Sequence, residues 1–181
     1  MIAKVNFVSF AAALGFFCLP WLDFQCSDKS KITQSGFQTV TGGGSLGEEV
    51  KLKFGDRDDD ESRESFDAAL YVAVALGCIV LGLLLAFIGL LGGGSPSPAL
   101  PALAAMALIL IGLQMKLGFP MEQKIIKLNK MTGIEGGAAA VDASELLTLE
   151  KIRIVYRPGI YFELGSLLLP IGVAFFAMRP T

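Results

Sequence analysis

The sequence predicts an all-α membrane protein: a four-transmembrane-helix bundle with a small antiparallel β-sheet formed by its two long loops on one face. Four apolar stretches each approach the length of about 17–25 residues that a helix needs to cross a bilayer. Between them, two long polar segments contain the alternating pattern of strands. The chain of 181 residues is 53% hydrophobic, with a mean hydropathy of +0.61. Since soluble domains contain about 45–50% apolar residues, we expect one integral membrane domain over residues 1–181.

The four apolar stretches are the predicted spans. The first follows Lys4 and resembles a signal peptide, but no convincing cleavage site follows it, so we expect it to remain as a helix. The second and third stretches are separated by GGGSPSP, an uncharged turn that suits two antiparallel helices. The spans are predicted at residues 5–22, 68–91, 99–117 and 160–178.

The two long loops, residues 23–67 and 118–159, are predicted to carry strands. Residues 49–54 and 149–156 alternate between two faces with period two, and residues 29–40 are a weaker strand or hairpin candidate. Because a lone strand is unstable, we expect the strands of both loops to pair in one small sheet.

Counting the spans puts both long loops on one side of the membrane and both termini on the other. Thirteen of the fifteen basic residues lie in or beside the long loops, and the positive-inside rule would place these loops in the cytoplasm. A short tail before a first span flanked by Lys4 favours the opposite orientation, and folded segments can translocate despite their charges. We expect cytoplasmic termini and extracytoplasmic long loops, in a cell (plasma or inner) membrane.

The composition excludes several classes of chemistry. The chain contains no histidine, so a Ser-His-Asp triad, a Cys-His pair and a His-ligated metal cannot form. The three cysteines are far apart in the sequence and do not form a disulfide framework. We expect no enzymatic activity, no catalytic residues, no cofactor other than a possible calcium ion, and no nucleic-acid partner.

A run of acidic residues before the second span is the candidate calcium site. Its carboxylates occupy positions 1, 3, 5, 9 and 12 of an EF-hand-like loop, although Glu61 stands where that loop needs glycine. The alternative is a solvated acidic segment that favours the positive N-terminal end of the following helix. The candidate ligands are Asp56, Asp58, Asp60, Glu64 and Asp67.

Lys116 and Glu163 are the charges that lie well inside apolar stretches, and Gln114 lies two residues deeper than Lys116 in the third stretch. Both charges lie toward the loop side at similar depth, so an interhelical pair between them is one hypothesis, because unpaired ionisable groups in a membrane are costly. The alternative is that Lys116 and Glu163 reach the interface with their long side chains.

Five aromatic residues lie where the spans meet the long-loop side. Aromatic side chains are enriched at this depth of a membrane, and we predict that these five are interface anchors. They are Trp21, Tyr71, Phe119, Tyr156 and Tyr161.

Two short motifs resemble the first loop of the claudin and peripheral-myelin-protein type of tetraspan. Pro20-Trp21 is similar to the Trp element of that loop, and Ser35-Gly36-Phe37 is similar to its Gly-Leu-Trp element. Gln38 stands where the family has Trp, and Cys26 is a single cysteine where the family has a disulfide pair. The resemblance implies a left-handed four-helix bundle under an extracellular sheet, used for lateral assembly and partner contact.

These observations lead to two hypotheses. The first is a non-enzymatic accessory or scaffold subunit of a membrane complex, which binds other membrane proteins, or copies of itself, through its loop sheet and helix faces. The second is an oligomeric small-solute or ion-handling protein that uses Lys116, Glu163 and Gln114, with the acidic loop as a cation attractor.

Overall fold

The computed structural model describes residues 2–26, 29–46, 67–92, 97–120, 122–123 and 153–177. Five helices and four strands lie in these ranges. In chain order they are α1 (Ile2–Phe16), β1 (Pro20–Cys26), β2 (Lys29–Ser35), α2 (Gly36–Thr41), β3 (Ser45–Leu46), α3 (Leu70–Leu91), α4 (Ala99–Leu117), β4 (Arg153–Tyr156) and α5 (Pro158–Ala177).

Three helices in the described part of the chain are long and apolar enough to cross a membrane: α3, α4 and α5, with 22, 19 and 20 residues. They coincide with the second, third and fourth predicted spans to within two residues at either end. Such helices indicate a membrane protein.

The first predicted span, residues 5–22, is wrong at its C-terminal end. Helix α1 ends at Phe16 and has 15 residues, so it is about 22 Å long and is shorter than the other three apolar helices. Pro20 explains the difference, because proline has no backbone N–H to donate and disfavours a helical backbone at the residue before it. Residues 20–22 instead begin strand β1, and the first position of a strand tolerates proline.

The four long helices pack side by side. Helix α1 packs against α3 and α5, and α4 also packs against α3 and α5. Small residues allow close approach: Phe10 of α1 lies against Gly82 of α3, where an added Cβ would be 2.3 Å from the ring. The outer face of α3 is apolar and exposed, at Leu84 and Ile88 for example, as suits contact with lipid.

A small antiparallel sheet covers one end of these helices. Its strand order is β3-β2-β1-β4, with β3 only two residues long. Asp23 of β1 lies opposite Thr33 of β2 and Val155 of β4. A sheet formed from strands of both long loops is therefore confirmed, but β2 and β4 each pair with β1, a strand that the sequence did not predict.

The strand assignments within the loops are partly corrected. Residues 29–40 are not one strand or hairpin, because β2 ends at Ser35 and α2 follows. The Ser35 hydroxyl accepts a hydrogen bond from the Gln38 backbone N–H, and the Gln38 side chain accepts one from the Ser35 N–H. This capping box starts a helix, and Gly42 ends it with a φ of 75°. The predicted strand at residues 49–54 lies outside the described residues, as do residues 149–152.

Strand β1 was absent from the prediction. Residues 21–24 are all buried, so this part of the strand has no exposed face and no alternating pattern. A short, fully buried strand cannot be distinguished from the end of an apolar helix by periodicity.

Candidate functional site at the junction of sheet and helices

Trp21 is the centre of the junction between the sheet and the helices. Its indole is fully buried, its Nε1 donates a hydrogen bond to the Phe16 carbonyl at 3.1 Å, and its ring centroid lies 4.6 Å from that of Phe17. Two glycines make room for it: an added Cβ would lie 2.8 Å from the indole at Gly36 and 3.2 Å from it at Gly159. The indole therefore packs where α1, α2 and α5 meet.

An ion pair joins the first long loop to the last helix. The Arg157 guanidinium donates to the carboxylate of Asp23, which is fully buried, whereas the Arg157 side chain is 41% exposed. Gln25 donates a second hydrogen bond to the Asp23 carboxylate at 2.9 Å. The backbone N–H of Arg157 also donates to the Trp21 carbonyl at 2.8 Å. Side-chain and backbone contacts thus fix β1 against the start of α5.

Helix α2 is attached to the same junction. The Phe37 backbone N–H donates to the Phe17 carbonyl at 3.1 Å, and the Ala69 N–H donates to the Thr39 carbonyl at 2.9 Å. The first contact ties α2 to the end of α1, and the second ties it to the start of α3.

The sequence prediction missed Asp23 and Arg157 as partners. The available signals were an acidic residue within the apolar run Trp-Leu-Asp-Phe and an arginine directly before a span. The two residues are 134 positions apart, and only the pairing of β1 with β4 brings them together.

Lys116 and Glu163 do not form the hypothesised interhelical pair. Lys116 is exposed, whereas Glu163 is fully buried, and among the described residues neither of its carboxylate oxygens has a hydrogen-bond partner. The reason is rotational: Lys116 lies on the outer face of α4, and Glu163 lies on the inner face of α5. Depth alone therefore did not bring the two charges together.

Gln114 has a local role at the end of α4. Its side chain is buried, and its Nε2 donates to the Gly118 carbonyl at 2.8 Å. The carbonyls at a helix C-terminus have no intrahelical donor, so this contact satisfies one polar group just beyond the helix.

Other polar residues are buried between the helices. Asn6 of α1 is buried and its Oδ1 has no hydrogen-bond partner. The hydroxyls of Ser9 and Ser166 donate to backbone carbonyls of their own helices, Val5 and Glu163, each at 2.8 Å. The sequence analysis did not select Asn6, although it is a polar residue within an apolar stretch.

The five predicted interface anchors occupy different environments. Trp21 and Phe119 are fully buried core residues and do not face lipid, which corrects the expectation for these two. Tyr71 and Tyr161 are exposed, as interface anchors would be. Tyr156 is half-buried and packs near Phe119, with ring centroids 6.4 Å apart.

Burial is the main cause of a raised pKa at Tyr156, and the nearby Glu122 and Tyr161 raise it further. Strand β4 carries this residue outside the three membrane-length helices. Its neutral phenol is therefore the form that the fold favours.

Asp67 is the member of the predicted calcium site that the structure describes. It is exposed and precedes α3. Asp56, Asp58, Asp60 and Glu64 lie outside the described residues. Within the described ranges, no group of three or more Cys, Asp or Glu side chains is placed to hold a metal ion.

No protein-family model, no curated protein and no solved structure matches this chain.

Proposed function

We propose that this protein is a non-enzymatic, multi-pass accessory or scaffold subunit of a membrane complex. It binds other membrane proteins, or further copies of itself, through its loop sheet and its helix faces. The observation that supports this most directly is the fixed position of the sheet, which Trp21 and the Asp23–Arg157 pair attach to the helices. A surface held rigidly before binding loses less entropy when a partner docks.

The proposal includes a fourth span. Helix α1 is shorter than the other three but is apolar and packs between α3 and α5. Its end lies beside the start of α5, since the rings of Phe16 and Phe162 are 5.7 Å apart. With α1 as a span, the sheet lies on one side of the membrane and the start of α1 and the end of α5 lie on the other.

The proposed orientation has cytoplasmic termini and an extracytoplasmic sheet, in a cell (plasma or inner) membrane. Labelling Cys26 with a membrane-impermeant thiol reagent on intact cells tests it, in a variant with Cys18→Ser and Cys78→Ser. Labelling of intact cells supports this orientation, and labelling only after the cells are opened contradicts it.

The resemblance to claudin-type tetraspans is compatible with this function. Trp21 and Gly36 come from the two motifs that carry the resemblance, and they are in contact. We propose the same use of the sheet here, for lateral assembly within a membrane.

Purification in a mild detergent tests the scaffold function. We expect a stable, stoichiometric complex with other polypeptides or a homo-oligomer. Arg157→Gln should weaken the complex, because it removes the cation that holds β1 to α5. Lys116→Gln is a matched control, since it also removes an exposed basic side chain beside a membrane-length helix but forms no pair with Asp23. A wild-type protein that remains a lone monomer would overturn the proposal.

A second candidate function is small-solute or ion handling, and the buried Glu163 without a partner favours it. A bundle of four helices leaves little room for a pore, so this function requires an oligomer. Ion flux through wild-type protein in liposomes, lost in Glu163→Gln, would support it. Absence of flux from a confirmed oligomer would contradict it.

Calcium remains a proposed ligand of the acidic segment that ends at Asp67. A thermal-unfolding titration with calcium tests it, with Asp58→Asn as the variant that removes one ligand. Stabilisation of the wild type that is reduced in the variant supports the site. An equal response in both proteins, or none, removes it.

A further inference from the structure

We propose that Glu163 is a proton-binding site inside the helix bundle, where its carboxyl group is held as the neutral acid. This inference does not depend on the scaffold function, because it concerns the interior of the bundle. Three features support it: complete burial, two carboxylate oxygens without partners, and the absence of a paired cation on the described elements around it.

The position of Glu163 is set by the inner face of α5. Gly159, Ile160, Ser166, Leu167 and Pro170 share this buried face, at the three- and four-residue spacing of a helix. Glu163 follows Pro158 by five residues and so lies about 7.5 Å along the axis from the start of α5. The carboxyl group is therefore inside the bundle, and its exposed fraction is 0%.

The charged groups on neighbouring elements do not neutralise Glu163. Helix α5 packs against α1, α4 and β1. On the described parts of these elements, Lys4 of α1 and Lys116 of α4 are both exposed, and the carboxylate of Asp23 in β1 is paired with Arg157. None of them forms an ion pair or hydrogen bond with Glu163.

The nearby hydrogen bond of α5 involves the Glu163 backbone and not its carboxyl group. The nearby Ser166 hydroxyl donates to the Glu163 backbone carbonyl at 2.8 Å and not to the carboxyl group. Pro170 has no N–H, so it cannot donate to the Ser166 carbonyl one turn earlier. The Ser166 carbonyl thus lacks its usual intrahelical donor, and among the described residues no donor reaches the Glu163 carboxylate oxygens.

A bound proton would remove the unpaired negative charge of the buried Glu163 carboxylate. Burying an ionised carboxylate without a partner is strongly unfavourable, because the charge loses its hydration and gains nothing in return. Protonation removes the net charge, and the neutral acid is much less costly to bury than the carboxylate. If residue 163 were needed only as a polar, space-filling side chain, a glutamine would serve equally well. Glu163→Gln therefore distinguishes proton binding from a purely structural role.

Infrared spectroscopy of the purified full-length protein tests the protonation state. We expect a carboxylic-acid carbonyl band at neutral pH that is lost in Glu163→Gln. The matched control is Asp67→Asn, which removes an exposed carboxylate at the start of α3 and should leave the band unchanged. A wild-type spectrum without the band, or a band that persists in folded Glu163→Gln, overturns the proposal.

Chemical modification provides a test that does not require the Glu163 variant to fold. Dicyclohexylcarbodiimide reacts with neutral carboxylic acids in apolar surroundings. The acid oxygen bonds to the central carbon of the reagent while the proton moves to one reagent nitrogen, and acyl transfer to nitrogen then gives a stable N-acylurea with no leaving group.

Mass spectrometry of wild-type protein treated with this reagent should find the adduct on the peptide that contains Glu163, and not on the peptide that contains Asp67. Raising the pH should reduce the yield. An unmodified Glu163 peptide in reagent-treated protein would contradict a protonated carboxyl group.

Discussion

The close contact between Phe10 and Gly82 predicts that replacing Gly82 with alanine lowers the free energy of unfolding. In Gly82→Ala, the added Cβ would lie 2.3, 2.5 and 2.8 Å from three atoms of the Phe10 ring. The ring must move by roughly 1 Å to restore ordinary contact, and it is fully buried. Overpacking of this kind costs about 1–3 kcal/mol.

Gly77→Ala is the matched control on the same helix. A Cβ at Gly77 meets nothing within 4 Å. Both substitutions gain helix propensity of up to about 1 kcal/mol, and this gain cancels when the two variants are compared. The free energy of unfolding of Gly82→Ala should therefore be lower than that of Gly77→Ala by about 1–3 kcal/mol.

Unfolding in mixed micelles, followed by circular dichroism during titration with a denaturing detergent, measures this difference. The deficit of Gly82→Ala should shrink in a Phe10→Leu background, because residues in contact give non-additive changes. Two variants that agree to within about 0.5 kcal/mol, the range typical of substitutions that meet no neighbour, would refute the proposed packing of α1 on α3.

Three further predictions concern the junction. Arg157→Gln should lower the free energy of unfolding by up to about 3–5 kcal/mol, because it removes a cation from a fully buried carboxylate. Adding Asp23→Asn should recover part of this loss in thermal unfolding, and no recovery would argue against the pair. Gly159→Ala would place a Cβ 2.6 Å from a backbone carbonyl oxygen of β1 and should lower the unfolding temperature. The control Gly165→Ala, whose Cβ would meet nothing within 4 Å, should not lower it. Equal unfolding temperatures for the two variants would exclude the close approach of α5 to β1. The pKa of Tyr156 is raised in the folded protein, so its contribution to stability is complete below the unfolded-state pKa of about 10 and is lost as the pH rises through the folded-state pKa. Tyr156→Phe should therefore lose less stability than the wild type in an alkaline titration. Identical pH profiles of the two proteins would contradict this.

The three long helices could be predicted because their signal is local. Residues 99–117 were predicted as a span, and α4 has these bounds. A continuous apolar run of this length has few alternatives to a helix in a membrane, since every backbone polar group must be satisfied within the segment. The same reasoning failed for residues 20–22, because apolar content does not distinguish a helix end from a buried strand.

The candidate site was predictable only in part. Glu163 and Gln114 are conspicuous as polar residues within apolar stretches, and both are buried. It was not predictable that Gln114 bonds to the Gly118 carbonyl or that Glu163 does not meet Lys116, because a shared depth does not determine which face of a helix a side chain occupies. Asp23 and Arg157 carried weak signals, and their pairing depends on the register between two distant strands.

The sequence by itself determined the apolar helices, the two polar loops between them and the absence of histidine chemistry. The tertiary structure decided how these parts meet: α1 ends before Pro20, the indole of Trp21 fills the space beside two glycines, and Glu163 faces inward while Lys116 faces outward. The physical reason is that hydrophobicity and chain length act locally along the sequence. Packing, strand register and helix rotation instead depend on residues that are far apart in the sequence and become neighbours only in the folded chain.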